Sequence, residues 1–281
     1  MSATVNPTMS WDDYFAHPAL SSTGARLLLS STPAHYRYGD PIEGKALEIG
    51  RAIHMLVLEP DVFARAYRIM EKPSGTGMKA AKESILNEAV ADGVTVLWQD
   101  DAEMVLAMRE SIWRSDIARK MLERAQLEQS ILWECPEFGI PMKARLDVSF
   151  VLPSGGVMIF DLKTCRCARK QEFERTIYNY GYHVQAATYM EAAEAVDMDP
   201  RSFVFICAEK QKPFPVALYE LDSNAIELGR DYLRKAKRIY ADCLASGVWP
   251  AYSDKIEPIS IPEWAMAREE FAAMAEEGAE Q

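Results

Sequence analysis

The sequence predicts a single mixed α/β domain with a helical N-terminal part. Two patterns carry this expectation. From Ile140 to Leu152 residue character alternates with the period of a strand, with Met142, Ala144, Leu146, Val148 and Phe150 on one face and Lys143, Arg145, Asp147 and Ser149 on the other. From Gly44 to Glu59, by contrast, Leu47, Ile49, Ile53, Leu56 and Val57 recur at helical spacing. The chain has 281 residues, 49% hydrophobic and 26% charged, an ordinary globular composition with enough material for a large core.

The elements follow in order. Trp11-Asp12-Asp13-Tyr14 precedes a helical run from Ala25 to Leu29, which stops near Thr32-Pro33. The helix over 44–59 is stopped by Pro60. Residues 71–82 mix Pro, Gly and Lys and read as a mobile basic loop. Helical segments over about 80–91 and 100–125 lead into the strands. Ile131–Phe138 and Ile140–Leu152 form a hairpin turning at Gly139, and Pro153-Ser154-Gly155-Gly156 turns the chain into a third strand, Val157–Lys163. Helices over about 168–178 and 183–197, strands Phe203–Ala208 and Val216–Leu221, and a long helix Ser223–Ala245 complete the expected core of about 131–250. Residues 1–130 form the helical part of the same domain, and 251–281 a Pro-rich, then acidic tail.

Composition limits function. A net charge of −11 counts against a protein that coats nucleic acid, although local clusters escape such a total. The five cysteines are scattered, and Cys165-x-Cys167 has no further ligand in zinc spacing, so reduced thiols are expected. No stretch is long and apolar enough to span a membrane, and Met1–Ser10 lacks the basic and apolar regions of a signal peptide; a cytoplasmic location is the expectation.

The chemistry concentrates in Val157-Met158-Ile159-Phe160-Asp161-Leu162-Lys163-Thr164. On a strand Asp161 and Lys163 share a face opposite Met158, Phe160 and Leu162, and Asp147 lies fourteen positions upstream on a neighbouring strand. Two carboxylates able to hold Mg²⁺ beside an ammonium able to steer the attacking water can build a metal-dependent phosphodiesterase. Gly50 and His54 share one side of a helix, and Gln185 and Tyr189 lie four apart on another. Each feature alone has a plainer reading. Asp161 and Lys163 could be a surface ion pair, His54 a hydrogen-bonded helix residue, and Gln185 with Tyr189 a polar helix edge. Their order and spacing as a set carry the signal.

That set, G-x-x-x-H at 50–54, Asp147, D-L-K at 161–163 and Q-x-x-x-Y at 185–189, resembles the RecB-type branch of the PD-(D/E)XK nuclease superfamily. More narrowly it is similar to the RecE-like (exodeoxyribonuclease VIII) phage exonucleases. The stretch Asn179–Ala187, the early Ala19–Ser22 and Thr32–Tyr36, and the later Trp249–Tyr252 and Pro262–Ala265 extend the likeness over about 10–265, loosely over 71–130. The resemblance implies a restriction-endonuclease-like core, a mixed central sheet flanked by helices. It implies Mg²⁺, with Mn²⁺ able to substitute, held by His54, Asp147, Asp161 and the main-chain carbonyl of Leu162. Lys163 would orient the water, and Gln185 and Tyr189 the scissile phosphate or terminal nucleotide; Arg51, Lys79, Lys82, Lys143 and Arg145 are candidate DNA contacts. It further implies 5′→3′ digestion of double-stranded DNA, a ring-like homo-oligomer such as a tetramer, a single-strand annealing partner, and a bacterial, phage- or prophage-encoded setting. Two other readings stay open: a structure-specific endonuclease or nickase with the same metal site, and a non-catalytic DNA-binding or assembly protein, against which the intact Asp147, Asp161 and Lys163 argue.

Overall fold

In the computed structural model, which describes residues 3–41, 44–253 and 255–268, the chain opens with a short strand β1 (Thr4–Asn6) and three capped helices, α1 (Trp11–Ala16), α2 (Ser22–Ser30) and α3 (Pro33–Tyr38). The hydroxyls of Ser10, Ser21 and Thr32 accept from the N–H groups of Asp13, Gly24 and His35, satisfying donors that a helix start leaves free. Helix α4 (Lys45–Leu58) ends just before Pro60, as expected, but the same proline opens α5 (Pro60–Ala66), since a residue without an N–H suits the first helical turn. The basic loop is confined to residues 71–77. Beyond it lie α6 (Met78–Ala91) and β3 (Thr95–Trp98), and β3 pairs in parallel with β2 (Tyr67–Met70) in a separate two-stranded sheet. Such short strands offer too few residues for alternation to reveal them. The single helix expected over 100–125 is two, α7 (Gln99–Arg114) and α8 (Asp116–Leu122), because the Ser115 hydroxyl caps a second start by accepting from Ala118 N–H.

The core follows as β4 (Gln126–Cys135), β5 (Ile140–Val151), β6 (Val157–Cys165), α9 (Lys170–Asn179), α10 (Tyr182–Ala195), β7 (Pro200–Glu209), β8 (Val216–Glu220) and α11 (Ser223–Ser246). One six-stranded sheet runs β1-β4-β5-β6-β7-β8. Only β6 and β7 are parallel, and α9 with α10 supplies the crossover that a parallel pair requires.

Both faces of this sheet are covered. Phe203, Phe205 and Cys207 of β7 pack into a core shared with α2, α10 and α11, while Val204, Ile206 and Ala208 pack into a second core with α4, α7 and α8. Helix α10 is buried on nearly all sides, and at Gly229 of α11 an added Cβ would lie 2.1 Å from the carbonyl oxygen of His183. Backbone contact between α10 and α11 therefore fixes the helix that carries Gln185 and Tyr189. The chain divides into compact units Met1–Trp249 and Pro250–Gln281. In the second, residues 263–268 are helical and Ile256, Ile259 and Trp264 are exposed; the acidic run expected beyond them, 269–281, lies outside the described residues. Among the described residues no helix is long and apolar enough to cross a membrane.

Candidate active site

Strand register sets the site. Pairs Leu127↔Val148 and Gln129↔Leu146 flank Glu128, so Glu128 stands opposite Asp147. On the other side of β5 the ladder to β6 ends at Val148↔Phe160, one step short of Asp147 and Asp161. Three carboxylates thus lie in a row across β4, β5 and β6 where β5 and β6 part. Glu128 was not anticipated. It has φ +52°, a left-handed backbone that a glutamate rarely adopts, and like charges placed opposite each other in a sheet are unfavourable. The strand pair also changes face here: Leu127 and Val148 pack with α4 and α7, whereas Ile131 and Leu146, of the same parity, pack with α2 and α10. Strain and repulsion gathered at one point make this the candidate site.

Each carboxylate is answered by a cation or donor. His54 on α4 reaches Asp147 Oδ2 through Nε2 at 2.8 Å and Glu128 Oε1 through Nδ1 at 3.3 Å. Leu162 N–H donates to Asp147 Oδ2 at 2.9 Å. Asp161, fully buried, is ion-paired with Lys163 and accepts from Gln185 Nε2 at 2.7 Å, while the same nitrogen lies 3.0 Å from Tyr189 Oη. Arg145 Nε donates to Glu128 Oε2 at 2.8 Å.

The charges are correspondingly displaced. Burial opposes the imidazolium, but the Asp147 charge and hydrogen bond, with Glu128 and Asp161, outweigh it and raise His54 to about 9. Burial likewise opposes ionised Asp147, yet His54, Lys163 and the Leu162 N–H hold it below the usual carboxylate range. Burial, reinforced by Asp147, raises Asp161 to about 6 against the pull of Lys163. Burial, with Asp147 and Glu59, raises Glu128 to about 8.

Several expectations need correction. The polar face of β5 is not solvated: Lys143, Arg145, Asp147 and Ser149 are all buried. Lys143 Nζ donates to the carbonyls of Tyr14 and His17, both at 2.7 Å, and cannot reach DNA. Arg145 is enclosed by Glu128, Glu59, the Met9 carbonyl and the Trp11 ring, whose centre is 4.1 Å away. Both cations hold the segment 9–17 against the sheet. Gln185 and Tyr189 are buried and do not line the cleft; Gln185 donates to Asp161, and Tyr189 Oη accepts from the same Gln185 nitrogen. Lys79 and Lys82 lie on α6 and do not line the cleft; Lys82 sits over the Trp98 ring. Lys72 is paired with Asp100.

A cleft of about 1590 Å³ is lined by His54, Leu162 and Lys163, the neighbours of the buried carboxylates. Arg51 lines it, and so do Arg166, Arg169 and Lys210, which the strand-centred sequence reading passed over. For Arg166 and Arg169 the available signal was their place just after the D-x-K strand. Arg145→Met is expected to cost about 3–5 kcal/mol in urea unfolding, because it removes one partner of a buried pair and leaves Glu128 Oε2 and the Met9 carbonyl without their donor; a loss below about 1 kcal/mol, the level of an exposed ion pair, would contradict this assignment.

The site fits a hard divalent cation. His54, Glu128 and Asp147 each offer a ligand atom within 4.8 Å of the others. Glu128 Oε1 and Asp161 Oδ2 are buried, the first facing His54 Nδ1 at 3.3 Å and the second paired with Lys163 Nζ. Carboxylate oxygens with one imidazole suit Mg²⁺ or Mn²⁺.

Residues 34–261 match the family described as PDDEXK-like domain of unknown function (DUF3799). The chain belongs to this family. Its restriction-endonuclease-like, PDDEXK-like fold is also that of the solved "Putative exonuclease" from Eubacterium rectale, which is 14% identical with a TM-score of 0.59 over 90% of this chain and 97% of that one. A phage-related exonuclease from Haemophilus somnus aligns at 12% identity over 83% of this chain and 98% of its own, but its TM-score of 0.30 carries no argument. No curated protein matches this PDDEXK-like chain.

Proposed function

We propose that this protein is a metal-dependent deoxyribonuclease that hydrolyses phosphodiester bonds of double-stranded DNA from an end. The observation that carries the reading is the row of Glu128, Asp147 and Asp161 across three strands, with His54 and Lys163 lining a cleft whose Arg51, Arg166, Arg169 and Lys210 have no ion-pair partner among the described residues. Asp147, Asp161, Glu128, His54 and the Leu162 carbonyl would hold Mg²⁺, or Mn²⁺ in its place. A cation bound there supplies Lewis-acid stabilisation of phosphate charge and a more acidic water. Lys163 Nζ, lining the cleft and 4.8 Å from the Tyr182 ring centre, orients the attacking water toward phosphorus. Gln185, itself bonded to Tyr189, keeps Asp161 in its rotamer. Arg51, Arg166, Arg169 and Lys210 meet backbone phosphates.

The motif set of the RecE-like exonucleases supports the finer reading: 5′→3′ processive digestion by a ring-shaped homo-oligomer, leaving a 3′ strand for an annealing partner in a bacterial or prophage setting. Duplex labelled at its 5′ or its 3′ ends tests polarity. Early release of the 5′ label is expected, and early release of the 3′ label alone would contradict it. Light scattering under the same conditions gives subunit number; a monomer that digests long duplex processively rules out the ring.

Gly50 offers a second check. A helical glycine costs about 1 kcal/mol relative to alanine, yet a Cβ there would meet only Thr164 Oγ1, at an ordinary 3.7 Å. Protein packing does not require the glycine, whereas a substrate lying close to α4 would. Gly50→Ala is expected to stabilise folding by about 0.5–1 kcal/mol and to weaken DNA binding and cleavage. Unchanged DNA binding in a stabilised variant would remove Gly50 from the substrate path.

A further inference from the structure

We propose that the cleft contains a base-stacking subsite, formed by Phe15 on Trp11 and by Tyr180 on Tyr182, that receives unpaired bases at a single-stranded DNA end. This rests on the nuclease reading and specifies its substrate. Phe15 is 67% exposed and stacks on Trp11 with ring centres 5.5 Å apart at 26°, and Tyr180, 64% exposed, stacks on Tyr182 at 5.8 Å and 22°. All four rings line the cleft that reaches His54 and Lys163.

The rings beneath are fixed. Trp11 Nε1 donates to Glu59 Oε2 at 2.7 Å and its face carries the Arg145 guanidinium at 4.1 Å. Lys143, bonded to the carbonyls on either side of Phe15, pins the turn of α1 that presents the Phe15 ring. Tyr182 lies under Lys163 at 4.8 Å and Arg26 at 5.7 Å, and Arg26 Nη1 also donates to the Tyr180 carbonyl at 3.1 Å. Each pair therefore offers a held outer aromatic face, and little ordering is left to be done on binding.

Intact duplex DNA hides the faces of its bases and is gripped through phosphates. Aromatic faces interleaved with cations are the pattern for unstacked single strands. Here Arg51, Arg166, Arg169 and Lys210 line the same cleft with no ion-pair partner among the described residues. The cleft thus holds both parts: cations for the backbone and platforms for exposed bases. In this arrangement a strand end that has parted from its complement meets both the cations and the platforms on its way to the carboxylates.

The test uses the full chain in Ca²⁺, with duplexes that are blunt or carry a short 5′ or 3′ single-stranded tail containing the fluorescent base 2-aminopurine. Wild type is expected to bind a tailed duplex more tightly than a blunt one and to quench the tail base. Phe15→Ala and Tyr180→Ala are each expected to weaken tailed binding roughly tenfold and to restore fluorescence, with a much smaller change on blunt duplex. Both replace exposed rings, and circular dichroism checks that the variants are folded. Equal binding of tailed and blunt DNA, with both variants matching wild type, overturns the subsite while leaving the nuclease reading intact if wild type still cuts DNA in Mg²⁺. A wild type that cuts no DNA in Mg²⁺ overturns the nuclease reading, and the subsite with it.

Discussion

Asp161→Asn is expected to lower kcat for DNA cleavage by roughly 10²–10³-fold or more, the scale seen when one preorganised electrostatic group is lost. The carboxylate is fully buried, with Oδ2 paired to Lys163 and Oδ1 accepting from Gln185. Asparagine keeps the size and the acceptor for Gln185 but removes the charge. Because burial and Asp147 already disfavour ionised Asp161, relief of that repulsion offsets the lost pairing with Lys163, and the melting temperature without metal should change little. Wild type should melt at a higher temperature in Mn²⁺, as a ligand that binds only the folded state requires, and the variant should lose most of that shift. Alanine is a poorer probe, since it would open a cavity beside an unpaired ammonium. Near wild-type cleavage by Asp161→Asn would dismiss the carboxylate row as the reaction centre.

Lys163→Ala carries the second large effect. An ammonium that aligns a water acts in the transition state, so kcat is expected to fall by roughly 10²–10⁴-fold with little change in DNA affinity. The group is placed for that role: the Lys163 side chain is 15% exposed, tied to Asp161 and held over Tyr182, too enclosed for a simple phosphate contact on the rim. Rapid-quench kinetics and equilibrium binding in Ca²⁺ separate the two quantities. If the variant loses affinity and keeps its single-turnover rate, Lys163 is a phosphate contact.

The strand pattern located the centre of this molecule because strict alternation places Asp161 and Lys163 together and opposite Phe160 and Leu162, as they are found. His54 came into view through helical spacing and its place in the motif set. What stayed hidden depends on tertiary covering or on local backbone. Lys143 and Arg145 were candidate DNA contacts because alternation says which residues share a face and nothing about what packs on it; the segment 9–17 covers that face. Glu128 was missed because its position at the start of β4 carries no motif, and its left-handed φ arises only in the fold. Gln185 and Tyr189 are brought beside Asp161, but spacing could not tell a substrate contact from a support behind that carboxylate. The small β2–β3 sheet escaped because its strands are four residues each.

The most direct test of the central claim is incubation of the purified protein with linear and covalently closed circular duplex DNA, in Mg²⁺ and in EDTA. The account predicts progressive loss of the linear molecule in Mg²⁺ only, with the closed circle left intact. Linear DNA that survives in Mg²⁺ would contradict a catalytic role for the site, and nicking or linearisation of the circle would contradict dependence on an end.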